Sequence, residues 1–152
     1  MATANIFDAN KARWRDSAGC EFINAMAGGG ALAAGDLVIH DASLTTAAIT
    51  AVKASSTTAK DGTIVGVCTE TIASGSYGTI QVYGYNATVK IDGTTTAVAI
   101  GDQVAGGVVA KKAAKFEAVT VLPANGGARL GICEETVATG SDTTFAVFID
   151  PR

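Results

Sequence analysis

The stretch Val65-Gly66-Val67-Cys68-Thr69-Glu70-Thr71-Ile72-Ala73-Ser74-Gly75-Ser76 recurs downstream as Leu130-Gly131-Ile132-Cys133-Glu134-Glu135-Thr136-Val137-Ala138-Thr139-Gly140-Ser141. The two segments keep a constant offset of 65 residues. Gly, Cys, Glu, Thr, Ala, Gly and Ser recur in place, and the other apolar positions exchange one aliphatic side chain for another. Chance explains such a match poorly, so the chain contains a duplicated unit.

A second match precedes each copy and sets the domain boundaries. Gly35-Asp36-Leu37-Val38 corresponds to Gly101-Asp102-Gln103-Val104 at an offset of 66, which requires a gap of one residue. Copy one therefore covers residues 35–85 and copy two residues 101–149. We expect residues 35–152 to form one duplicated domain and residues 1–34 to form an extended N-terminal arm and connector.

The periodicity within the copies is that of β-strands. Thr79–Tyr85 alternates Ile80 and Val82 on one face with polar or aromatic residues on the other. Thr144–Ile149 is apolar on both faces, which indicates either a central strand or a strand whose second face meets another subunit. Two copies are too few for a solenoid. The sequence predicts an all-β fold, a compact β-barrel or sandwich whose two halves close over one core.

The repeated polar residues have structural and chemical interpretations. In Gly35-Asp36 and Gly101-Asp102, glycine suits a turn with positive φ while the carboxylate accepts backbone N–H groups. A metal or acid role for the two aspartates is the less favoured alternative. Glu70 and Glu135 are predicted to cap the turn that follows or to face solvent or a partner, although a duplicated carboxylate pair could also serve acid and base chemistry.

Other candidates for catalysis or metal binding are weak. His40 is the only histidine, and it lies where a strand runs into a turn. The three cysteines, Cys20, Cys68 and Cys133, lack the close spacings of metal sites. Cys68 and Cys133 occupy matched positions on core-like strands and are predicted to be buried thiols. We therefore predict no enzyme activity, no cofactor, no metal and no small-molecule substrate.

The composition favours a protein with protein partners. Only 16% of the 152 residues are charged, against about 25% in typical domains, so part of the surface is expected to lie against other subunits. The net charge of −3 argues against nucleic-acid binding, which needs a clustered basic face. No apolar run is long enough for a membrane span, and no signal peptide is visible, so synthesis in the host cytoplasm is expected.

The N-terminal segment combines apolar anchors with positive charge. Trp and Arg are favoured at the centres of protein interfaces. The alternative is an ordinary solvated stretch. The candidate contact residues are Ile6, Phe7, Lys11, Arg13, Trp14, Arg15 and Phe22.

The pattern of strands and turns resembles the small β-barrel head decoration (cement) proteins of tailed phages. The resemblance is carried by Gly35-Asp36-Leu37-Val38, by Leu130-Gly131-Ile132 and by Phe145-Ala146-Val147-Phe148-Ile149. It implies a homotrimer on the outer surface of the virion capsid that bridges subunits of the major capsid protein. The alternative is a phage tail, fibre or other surface structural or adhesion module.

Overall fold

The computed structural model describes residues 13–41, 51–55, 64–92, 97–107, 109–116, 129–140 and 143–151. Within these ranges the secondary structure is entirely β, and no helix there could cross a membrane. The strands are β1 (Arg13–Arg15), β2 (Glu21–Ala27), β3 (Leu37–His40), β4 (Ala51–Ala54), β5 (Ile64–Cys68), β6 (Tyr77–Lys90), β7 (Gln103–Gly106), β8 (Ala113–Lys115), β9 (Arg129–Cys133) and β10 (Thr144–Ile149).

Five of these strands close into a first barrel. β2 pairs in parallel with β4 and antiparallel with β6. Between those two neighbours the ring runs through β3 and β5, each joined to the next by antiparallel pairing. Because closure leaves no free edge within the ring, this half is a complete barrel. The predicted all-β barrel is confirmed.

The second copy repeats the pairing of the first. β7 pairs with β8 and β9 just as β3 pairs with β4 and β5. β10 then pairs with β9 on one side and with the second half of β6 on the other. A parallel bridge between Ile91 and Ala113, with a 2.8 Å hydrogen bond from Asp92 N to the Ala113 carbonyl, completes this second ring. β6 is therefore shared by the two rings.

The protein has two hydrophobic cores, whereas the sequence pattern predicts a single core shared by both copies. The first core contains Val38, Val52, Cys68 and Ile80. The second contains the matching residues at the same places in the repeat. The reason is that each copy receives its own closing strand, β2 for the first and the second half of β6 for the second. The residues of the second core that match those four are Val104, Ala113, Cys133 and Phe145.

The expected arm is shorter than residues 1–34. Glu21–Ala27 is a barrel strand whose small side chains Ala25 and Ala27 are fully buried. Its counterpart in the second copy is the second half of β6, and the two segments share no residue pattern that a comparison of the sequence with itself could detect. Strand β2 is part of the barrel, and its place there depends on strand pairing and not on repetition.

Candidate protein-binding surface at the N-terminal strand

A short hairpin carries β1 along the edge of β2. The Asp16 carboxylate accepts hydrogen bonds from the backbone N–H groups of Ala18 and Cys20, both at 2.9 Å, and so holds the turn. This register places Trp14 opposite Phe22 and Arg15 opposite Glu21. Because side chains alternate along a strand, the tryptophan lies on one face of β1 and the two arginines on the other.

Trp14 is an exposed aromatic side chain with a fixed orientation. Its ring stacks on that of Phe22, with centroids 5.7 Å apart and an angle of 21° between the planes. Even so, 41% of Trp14 remains exposed. Stacking restricts the rotamers of the free protein, so less entropy is lost when a partner covers the ring.

Arg13 and Arg15 are held by a single carboxylate. Arg13 Nε donates to Glu21 Oε2 at 2.8 Å, and an Nη2 group of each arginine also binds Glu21. The hydrogen bond from Arg15, followed by that from Arg13, lowers the pKa of Glu21, and Glu21 in turn raises the pKa of Arg15. Both arginine side chains remain about two-thirds exposed. The cluster therefore presents one net positive charge and several unused donors.

A cleft of about 680 Å³ opens beside the two arginines. Three of its apolar lining residues, Ile23, Val65 and Val82, also pack against the first core. Asp150 and Pro151 belong to the same lining. The volume lies within the range of about 300–1,000 Å³ that is usual for binding pockets. A cleft lined by both apolar residues and two arginines could accept a side chain of a partner protein.

We call Arg13, Trp14, Arg15, Glu21 and Phe22 the Trp14 surface. The structure brings together four of the residues predicted from sequence to make contacts. The other three, Ile6, Phe7 and Lys11, lie outside the described residues. Sequence reasoning missed Glu21 and the cleft. Reading Arg13–Ile23 as a hairpin around Asp16 and Gly19 would have placed Glu21 beside Arg15.

The Gly-Asp pairs lie in turns. Gly35 and Gly101 have φ of 82° and 87°. Asp36 Oδ2 accepts a hydrogen bond from Ala33 N, and Asp102 Oδ2 accepts one from Ala99 N, each at 2.9 Å. The hydrogen bond from Lys115 Nζ is the main reason why the pKa of Asp102 lies below its usual value. Among the described residues no group of three or more His, Cys, Asp or Glu could hold a metal ion.

The repeated glutamates tie the Gly-x-Cys-x-Glu segments to the strands that follow. Glu70 Oε1 accepts from Thr79 N at 2.8 Å, and Glu135 Oε2 accepts from Ala146 N at 3.2 Å. The Cys68 thiol donates to the Glu70 carbonyl at 2.9 Å, and the matching contact joins Cys133 to Glu135 at 2.6 Å. Both carboxylates are thus engaged with backbone in the same structural role. His40, at the end of β3, is exposed.

We expect the three thiols to react at two distinct rates. Burial raises the pKa of the Cys68 and Cys133 thiols, and both side chains are fully buried, whereas Cys20 is partly accessible. Because the thiolate is the reactive form, titration of the native protein with a disulfide reagent should give one fast thiol per chain. A Cys20→Ser variant should lose that fast phase. Fast reaction of two or three thiols in the folded protein would contradict this arrangement.

Comparisons with known proteins give one similar solved structure. No family model matches the chain, and no curated protein matches it. The N base of the head fiber gp8.5 in bacteriophage phi29 is 16% identical, with a TM-score of 0.49, and the likeness covers 83% of this chain and 92% of that chain.

Proposed function

We propose that this protein is a phage capsid decoration protein, a non-enzymatic component that binds the outside of the head and stabilises it by bridging major capsid protein subunits. The observation that carries the proposal is the Trp14 surface. It fixes an exposed tryptophan and two arginines on a rigid barrel. The resemblance of the repeated turn and strand motifs to cement proteins supports the same assignment.

The chemistry of the Trp14 surface favours a protein partner. Tryptophan and arginine are the residues most enriched among interface positions that dominate binding energy. Glu21 balances one of the two guanidinium charges, and the remaining single positive charge is less than the clustered positive charge that binding to phosphate backbones requires. Planar, partly neutralised guanidinium groups suit carboxylates and backbone carbonyls of another protein.

Attachment would be multivalent in this proposal. A homotrimer presents three Trp14 surfaces on one rigid body, which fits a threefold or quasi-threefold position on a capsid. Once one subunit binds, the other two act at high effective concentration. Avidity can then exceed the affinity of a single contact by about 10² to 10⁴ without any new kind of contact.

Replacing Trp14 by alanine should weaken attachment to capsids strongly. Truncation of a central interface tryptophan typically costs about 2 kcal/mol or more, so we expect at least about a 30-fold loss of affinity for each contact. Co-sedimentation with capsids lacking the protein measures this. Tyr77→Ala is the matched control, because Tyr77 is 46% exposed but lies opposite Met26, at the other end of β2. Equal binding of the two variants would contradict a role for Trp14.

Deleting residues 1–20 should weaken attachment to capsids and leave the barrel folded. The deletion removes β1 but spares β2, which begins at Glu21 and closes the first ring. Circular dichroism checks the fold, and co-sedimentation checks binding. Unchanged occupancy on capsids would refute the proposed surface. If the intact protein sediments with purified tails or fibres and not with heads, the alternative of a tail, fibre or adhesion module replaces the capsid assignment.

A further inference from the structure

A row of uncharged side chains crosses the outer face of the second ring. Cα pairing places Gln103 opposite Ile132, Ile132 opposite Phe148, and Phe148 opposite Tyr85. We call these four residues the Ile132 row. Tyr85 is 55% exposed and Ile132 39% exposed. Large apolar side chains grouped in this way on a sheet face are a feature of interaction surfaces.

The first ring contains the matching row, and there it is covered. Leu37 and Val67 correspond to Gln103 and Ile132 by the repeat, and they are direct partners across β3 and β5. Both are fully buried and belong to the second core. A 2.9 Å hydrogen bond from Leu37 N to the Lys111 carbonyl also joins β3 to the second copy. In the first repeat, this face is therefore covered by the second repeat of the same chain.

The covered row and the exposed row are continuous. Gln81, the partner of Val67 in the first row, donates from Nε2 to the carbonyl oxygen of Tyr85 at 2.9 Å. The ring of Tyr83, two residues along β6, packs edge to face on Phe148 with centroids 5.3 Å apart. The buried interface between the two rings thus runs directly into the exposed Ile132 row.

We propose that the Ile132 row binds a second copy of this chain, and that three such rows meet about the axis of the trimer. The inference deepens the proposed function, since it rests on the homotrimer named there. Continuity with the interface between the rings is the main argument. The second argument is that none of the four side chains of the row is charged, so these side chains add no repulsion when identical rows face each other.

The row differs from the Trp14 surface in the partner it suits. The Trp14 surface carries guanidinium groups that would repel their own copies if three were brought together, whereas the Ile132 row carries none. The two functions can be separated by mutation.

Substitution of Ile132 by glutamate tests the proposal. Three carboxylates introduced into the row near the axis would repel one another. Light scattering after size exclusion should give about three times 15.2 kDa for the unmodified protein and the monomer mass for Ile132→Glu. Ile100→Glu is the matched control, because Ile100 is 68% exposed and lies outside the row. It should remain trimeric.

A second variant distinguishes loss of the trimer interface from misfolding of the Ile132→Glu protein. Tyr85→Glu changes the most exposed member of the row and should also yield a folded monomer, as judged by circular dichroism. Trimers in both row variants, or a monomeric unmodified protein at every concentration, would overturn the inference. Trimers that depend on Ile132 but do not attach to capsids would instead overturn the proposed function and leave this surface intact.

Discussion

Alanine at Gly66 or Gly131 will destabilise the protein far more than alanine at Gly75. A Cβ atom at Gly66 would meet the backbone carbonyl oxygen of Gln81, and one at Gly131 would meet that of Phe148. Both contacts fall well inside 3.0 Å, a separation that real Cβ atoms essentially never show. The strands would have to separate, and such overpacking costs about 3 kcal/mol.

Gly75 provides the control for this experiment. It has a φ of +77° but no atom within 4 Å of a built Cβ, so alanine there is strained only by its backbone, at about 1 kcal/mol. Urea unfolding of the three variants measures the difference in the free energy of unfolding. Equal losses in the free energy of unfolding at all three positions would show that β5 and β6, and β9 and β10, do not approach as closely as described.

Asp36→Ala should be the most damaging change among the repeated polar residues. The Asp36 side chain is fully buried, with Lys90 Nζ at 2.5 Å from Oδ1 and Lys111 Nζ at 3.4 Å from Oδ2. It also accepts the hydrogen bond from Ala33 N. Breaking a buried charge pair typically costs about 3 kcal/mol or more. Because Lys90 lies on the shared strand and Lys111 between β7 and β8, the loss should loosen the second copy from the first.

Asp102→Ala is the matched control for Asp36→Ala. Asp102 occupies the same place in the repeat and caps the same turn, but its side chain is 25% exposed. Among the described residues it forms an ion pair with Lys115, at 2.8 Å. Its loss should therefore lower the melting temperature clearly less. If thermal unfolding ranks the two variants equally, Asp36 acts as a turn residue alone and does not join the two copies.

The repeat allowed much of the fold to be predicted from sequence. The matched glycines, aspartates and glutamates occupy equivalent turns and strand ends, because each performs a local task that two or three neighbouring residues define. The closing strands could not be predicted in the same way. Glu21–Ala27 and the second half of β6 fill the same place with unrelated side chains, so their equivalence exists only in the pairing.

The register of strand pairing also could not be predicted from the repeat. Cys68 pairs with Ile80 in the first ring, and the sequence offset would pair Cys133 with Phe145. Cys133 instead pairs with Val147, a slip of two residues. Since side chains alternate with a period of two, this slip keeps the same residues facing the core. It brings Phe148 opposite Ile132 and so creates the exposed row.

The candidate site was predictable in part. Arg13, Trp14, Arg15 and Phe22 were suggested by composition alone, since aromatic and basic residues cluster there. Their arrangement depends on a hairpin that puts Glu21 between two arginines, and the cleft depends on where the first barrel opens. Neither the arrangement of the arginines around Glu21 nor the cleft can be predicted from residue types without knowing that β1 pairs with β2.

In the proposed assignment a phage encodes this chain, and imaging of that phage's heads tests the assignment most directly. Electron cryomicroscopy of particles with and without the protein should reveal a difference density on the outer capsid surface at threefold or quasi-threefold positions. The double ring should fit that density with β1 and Trp14 against the major capsid protein. Density confined to the tail, or a double ring whose Trp14 surface points away from the capsid, would contradict the account.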